Sequence, residues 1–205
     1  HWHVSVEAER LIYQDETGLL DLPLPNLPGP HQVQNAGAAI ATLRHLGMGE
    51  IACTAAVSQA HWPARMQRLR SGPLVENLSS NEIWLDGGHN PAAGRAIAAT
   101  LASLARRETH IICGMINTKD VQGFLAPIAE HCVSLTAITI PNEPNAVPAA
   151  NLAATGQACG ISSAEGGPIN QVLAGLAQRY PEARILICGS LYLAGHVLRE
   201  NDESA

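Results

Sequence analysis

The sequence predicts an α/β fold with a doubly wound, mostly parallel sheet, and three observations lead there. Apolar residues make up 46% of the 205 positions, yet only one Phe, three Tyr and three Trp are among them, so the core is built from Ala, Leu, Ile and Val. That composition suits packed layers of helix and sheet. Beyond Arg65, short β-rich runs alternate with longer Ala/Leu-rich runs of helical spacing, the pattern of repeated βα units. Pro91, Pro148 and Pro168 each stand where such a helical run begins, the first-turn position that tolerates a missing amide.

The elements follow in chain order. Trp2 to Val6, Arg10 to Tyr13 and Leu19 to Leu22 read as short strands in a meander, with Gly18 breaking before the last. Residues 23–30 contain four prolines, which remove amide donors and fix φ, so they form a loop. From His31 to Leu46, Val33, Ala36, Ala39, Ile40 and Leu43 keep helical spacing until Gly47, and a second helix is expected from Gly49 to Ala60. Five strands are then expected, at 83–85, 110–113, 135–140, 161–163 and 184–188. Helices are expected at 91–106, 121–131, 148–159, 168–179 and 191–200, and a frayed tail from Asn201 to Ala205.

Charge and cysteine usage exclude several function classes. The net charge is −6 and no Lys/Arg run exceeds two residues, so nothing marks the chain for nucleic acid or an anionic membrane. No run of 18 apolar residues occurs, and the start carries no signal-peptide pattern. The five cysteines are odd in number, widely spaced and without a C-x-x-C pair, which predicts a reduced, cytoplasmic protein and no zinc site. An opening of His1-Trp2-His3 without Met reads as the interior of a longer gene product.

In an open parallel sheet, chemistry gathers where strand C-termini meet helix N-termini. Three segments fall there: Asp86-Gly87-Gly88-His89-Asn90-Pro91, Gly114 to Asp120, and Gly189-Ser190-Leu191-Tyr192-Leu193-Ala194-Gly195. The first sets a carboxylate, an imidazole and an amide between an apolar strand and a proline-started helix. A purely structural alternative has Asn90 capping the helix, the glycines turning the chain and His89 in solvent. A Ser190, His89 and Asp86 hydrolase triad lacks the G-x-S-x-G elbow. Gly47 to Ala52 spells G-x-G-x-x-A but follows a helix instead of a strand, and no Walker A loop is present.

D-G-G-H-N-P resembles the D-G-A-H-N-P element of the folylpolyglutamate synthase/dihydrofolate synthase family of the Mur ligase superfamily. Four more stretches match that family in order: Leu27 to Ala36 (G-x-H-Q-x-x-N-A), Trp62 to Gln67 (W-P-G-R-x-E/Q), the G-M-x-x-x-K-D segment from Gly114, and G-S-L-Y-L-A-G from Gly189. They span roughly residues 22–199. The departures are Gly88 for Ala, Ala64 for Gly, and Gln67 where Glu is common.

The resemblance implies a Rossmann-like C-terminal domain preceded by the tail of a central ATPase domain. The implied divisions are 1–46 for that remnant, 47–68 for a linker, 69–200 for a glutamate-ligase domain and 201–205 for the tail. It implies an ATP-dependent ligase that adds L-glutamate to folate, or to dihydropteroate in some bacterial members, through an acyl phosphate. Cofactors would be ATP and magnesium, with the magnesium ligands outside this chain, which alone would be inactive. Asn35, Arg65 and Asp86 are the implied ATP contacts: an amide can read adenine, a guanidinium can meet phosphate, and a carboxylate can accept from ribose hydroxyls. His89 and Ser190 are the candidate catalytic groups and hold the incoming glutamate, whose carboxylate Lys119 could pair. The alternative for Lys119 is a solvated side chain beside Asp120. A monomer is expected. Two other readings remain open, a Mur-type cell-wall amino-acid ligase and a Rossmann-like binding module without catalysis.

Overall fold

The computed structural model describes residues 1–78 and 80–202, so of the tail expected at 201–205 residues 203–205 lie outside the described residues, while Asn201 is helical. The chain divides into two compact units, His1–Pro63 and Ala64–Ala205.

In the first unit, β1 (Trp2–Glu7), β2 (Arg10–Asp15) and β3 (Gly18–Pro23) form an antiparallel meander in the order β1-β2-β3. The β1–β2 turn is Ala8-Glu9, both at positive φ (47° and 60°), the hand that matches the twist of a two-residue hairpin. Period-2 alternation turns Leu11, Tyr13, Leu20 and Leu22 inward, where they pack with Ile40 of α1 (His31–His45) and with Cys53 and Val57 of α2 (Glu50–Ser58). A Cβ on Gly37 of α1 would lie 2.9 Å from the Val4 side chain, so the helix sits close on the sheet. The segment between Gly47 and Arg68, expected to be a connector, is divided between the units. Helix α2 belongs to the first, and Gln67–Leu69 is a strand of the second.

The second unit is a six-stranded sheet: β4 (Gln67–Leu69), β5 (Glu82–Leu85), β6 (Thr109–Cys113), β7 (Ser134–Ala137), β8 (Ser162–Glu165) and β9 (Arg184–Cys188), in the order β4-β5-β9-β6-β7-β8. Strand β4 pairs antiparallel with β5, and the other pairings are parallel. Strands β6 and β9 are buried along their whole length, which is why they read as unbroken apolar runs. Ile97 and Leu101 of α3 (Pro91–Ser103), Phe124 of α4 (Val121–Leu125) and Leu152 of α5 (Ala149–Ala158) form one core with Ile111 and Leu186. Leu173 of α6 (Ile169–Arg179) and Val197 of α7 (Leu191–Asn201) form the other with Ile112, Ile185 and Ile187. Successive strand residues thus feed opposite layers, the doubly wound arrangement.

Several boundaries differ from expectation. The helix expected at 121–131 is α-helical only to Leu125 and continues as a 3₁₀ helix, Ala126–His131. Pro127 has no amide and its ring opposes the carbonyl four residues back, so the α-ladder cannot pass it. Pro148 and Pro168 sit at the N-caps, with extended ψ of 139° and 143°, one residue before their helices. Strand β7 stops at Ala137 instead of Ile140, and β8 begins at Ser162. Helix α3 ends at Ser103, short of the expected Arg106, and α7 continues through Asn201. Among the described residues, no helix is long and apolar enough to cross a membrane.

Candidate functional site

Strand β9, last in sequence, lies between β5 and β6, so the C-terminal ends of these three strands are neighbours. Residues 86–90, 114–120 and 189–190 leave from those ends. Hydrogen bonds continue the sheet into the loops: the Asp86 amide donates to Ile187 O (2.9 Å), and that of Gly114 to Cys188 O (3.2 Å). Gly189 holds φ at 110°, and a Cβ there would lie 2.7 Å from the Gly114 carbonyl oxygen, so only glycine suits this crossing.

Asp86 organises the first loop. Its side chain is buried, with Oδ1 accepting from the Gly88 amide (2.7 Å) and Oδ2 from the Met66 amide (2.8 Å). One carboxylate therefore ties the residue after Arg65 to the residue before His89. The His89 ring, half-buried, has Nδ1 2.9 Å from Gly87 O. A carbonyl can only accept, so Nδ1 carries hydrogen and Nε2 of the neutral ring is an acceptor. Asn90 Oδ1 accepts from the Ala93 amide (2.9 Å) and caps α3 with Pro91 behind it, so the structural alternative is correct for Asn90.

Arg65 is half-buried between Ala64 and Met66, both at positive φ (54° and 42°), and has no hydrogen-bond or ion-pair partner among the described residues. Lys119 is likewise half-buried and unpaired among them, because the neighbouring Asp120 carboxylate turns to cap α4, accepting from the Gly123 amide (2.8 Å). Ser190 is buried at the N-cap of α7, where its Oγ accepts from the Tyr192 amide (3.1 Å) and its hydroxyl hydrogen can still be donated. Leu191 and Tyr192 beside it are exposed. Asn35 belongs to the first unit, on α1, and its side-chain amide donates to Gln32 Oε1 (2.9 Å). Five of the six candidates thus lie in the second unit.

Beneath the loops, Cys113 and Cys188 are register partners on β6 and β9. A hydrogen bond with Cys113 and full burial push the Cys188 thiol well above its ordinary range, so it is no nucleophile. Sequence reasoning passed over one contributor, Gln67, whose Oε1 accepts from the Ala64 amide (2.9 Å). Its sequence signal was its place as the last residue of the Trp62 to Gln67 stretch, to which no role was attached.

The family described as Mur ligase, glutamate ligase domain, matches residues 64–191, beginning where the second unit begins. The chain belongs to this family. The folylpolyglutamate synthase of Lacticaseibacillus casei is 27% identical over 197 residues, 93% of this chain and 43% of that protein. The dihydrofolate synthase/folylpolyglutamate synthase of Escherichia coli K12 is 27% identical over 206 residues, 98% of this chain and 45% of that protein. Among solved structures, E. coli FolC in complex with ADP, without folate substrate, superposes with a TM-score of 0.81 at 26% identity, covering 98% of this chain and 46% of that one. The chain thus spans a little under half the length of these relatives. The site loops after β5 and β6, and Ser190 after β9, all fall inside the glutamate ligase domain match.

Proposed function

We propose that this chain is the C-terminal part of an ATP-dependent ligase that joins L-glutamate to a folate or dihydropteroate carboxylate. The observation that carries the reading is the Asp86 carboxylate, which fastens the Arg65 and His89 segments together at the C-terminal edge of a glutamate ligase domain. ATP, when bound, supplies the phosphoryl group that makes a carboxylate oxygen a leaving group. The unpaired guanidinium of Arg65 fits phosphate charge, and the resemblance of the Asp86 loop to the family's D-G-A-H-N-P element supports Asp86 as a nucleotide contact, where a carboxylate suits ribose hydroxyls. The half-buried ammonium of Lys119, unpaired among the described residues, suits a glutamate carboxylate. The free Nε2 of His89 accepts the proton that the glutamate amine must lose, and the Ser190 hydroxyl orients that amine. For Asn35 the assignment to the nucleotide rests on its sequence stretch.

No three His, Cys, Asp or Glu side chains converge as a metal site among the described residues. By the same resemblance the protein acts as a monomer, and its five free cysteines suit the cytoplasm. The test is ligation by the full-length protein. With ATP, glutamate and a folate or dihydropteroate acceptor, mass spectrometry should find the acceptor extended by a glutamyl residue, and no extension refutes the function. Arg65→Lys keeps charge but loses the planar fork. It should lower kcat/KM for ATP by about 10-fold, roughly 1.4 kcal/mol, without moving the melting curve.

A further inference from the structure

We infer that Gln67 is a positioning residue for Arg65, which it holds through the backbone without touching a substrate. The inference rests on the reading of Arg65 as a nucleotide contact. Ala64 and Met66, on either side of Arg65, occupy the left-handed region at φ 54° and 42°, where residues with a Cβ are disfavoured. Both are buried, at 4% and 1% exposure, so solvent cannot satisfy their polar groups. Such a conformation persists only when its surroundings determine it several times over.

Three hydrogen bonds do so. The Ala64 amide donates to Gln67 Oε1 (2.9 Å), the Gly87 amide to Ala64 O (2.8 Å), and the Met66 amide to Asp86 Oδ2 (2.8 Å). The last two join the segment to the β5 loop. Gln67 supplies the remaining bond from a rigid base: its backbone is in β4, in register with Leu85, the residue before Asp86. Its side chain turns back three residues to accept the Ala64 amide. Removal of that carbonyl oxygen leaves a buried donor without an acceptor, and the left-handed pair loses a restraint at its N-terminal side. Arg65 then samples directions away from the one the pinched segment now dictates.

The test is a double-mutant cycle on ATP kinetics in the full-length protein. Arg65→Ala should lower kcat/KM for ATP by about 10-fold or more, and Gln67→Met, which keeps length and apolar stem, by about 5- to 10-fold. Gln67→Glu, which keeps an oxygen acceptor, should recover most of the rate. The double variant Arg65→Ala/Gln67→Met should be no slower than Arg65→Ala alone, because Gln67 acts only through Arg65. Should Gln67→Met fail to fold, Gln67→Lys, with a similar stem and a donor in place of the acceptor, is measured instead. Wild-type kinetics in the Gln67 variant beside a slow Arg65→Ala, or losses that multiply in the double variant, overturn the inference. Wild-type kinetics in Arg65→Ala overturn the reading of the site beneath it.

Discussion

Replacement of Asp86 by Asn tests whether this carboxylate is structural before any nucleotide arrives. The side chain is 3% exposed, and its two oxygens accept from the Gly88 and Met66 amides at 2.7 and 2.8 Å. Asparagine has one carbonyl oxygen and one NH2 group, so one of those amides would face a donor. A backbone amide bonded to a charged acceptor contributes about 1.5–3 kcal/mol, and a buried donor left unpaired costs about 1–3 kcal/mol. Asp86→Asn should therefore destabilise the second unit by about 2–4 kcal/mol. At about 2–4 °C per kcal/mol for a domain near this size, the melting temperature should fall by roughly 5–15 °C. Asp86→Ala, which strands both amides, should fall at least as far. The assay is a nucleotide-free circular-dichroism melt of wild type and both variants, repeated in urea. A carboxylate needed only for ribose would leave all melts alike, and coincident curves would refute the bracing role.

Two further predictions concern the fold. Gly94→Ala places a Cβ of α3 against the Phe124 carbonyl of α4, with the Phe124 carbonyl carbon at 3.1 Å. The neighbour is backbone and cannot swing away, so the gain in helix propensity should be outweighed by a net loss of about 1–3 kcal/mol, read as a lower urea midpoint. His110 is fully buried, with Nδ1 2.7 Å from Ser134 Oγ and its ring stacked on Tyr180. Burial holds its pKa below the ordinary 6.5, Glu108 opposes that shift, and Arg179 adds to it. The unfolded chain therefore binds the extra proton. Stability from this group is complete above pH 6.5 and declines as pH falls below it. Unfolding midpoints measured from pH 7 to about 5 should show this slope, and His110→Phe, which keeps the stacking, should flatten it. An unchanged slope in that variant would exclude His110 as its source.

The local grammar was legible in the chain itself. Runs such as His110-Ile111-Ile112-Cys113 and Arg184 to Cys188 announced buried strands because a strand covered on both faces needs no polar alternation. The site loops were legible because glycine, an amide cap and a proline cluster where a strand must hand over to a helix. The insertion of β9 between β5 and β6 was not legible, since strand order depends on which helices cover which face and no local periodicity encodes it. That insertion is what places the Ser190 loop beside those of His89 and Lys119. The left-handed turn at Ala64 and Met66 was equally hidden, because neither residue type favours it and only three hydrogen bonds from Gln67, Asp86 and Gly87 sustain it. Residue identities by themselves therefore determined the βα repeat, the loops and the chemical groups available. Tertiary structure decided that Ser190 is buried as a helix cap, that Asp86 braces two segments at once, and that Arg65 is left unpaired among the described residues. The reason is physical: propensity acts over a few neighbours, whereas a buried carboxylate or amide takes whichever partner the packed sheet brings within 3 Å.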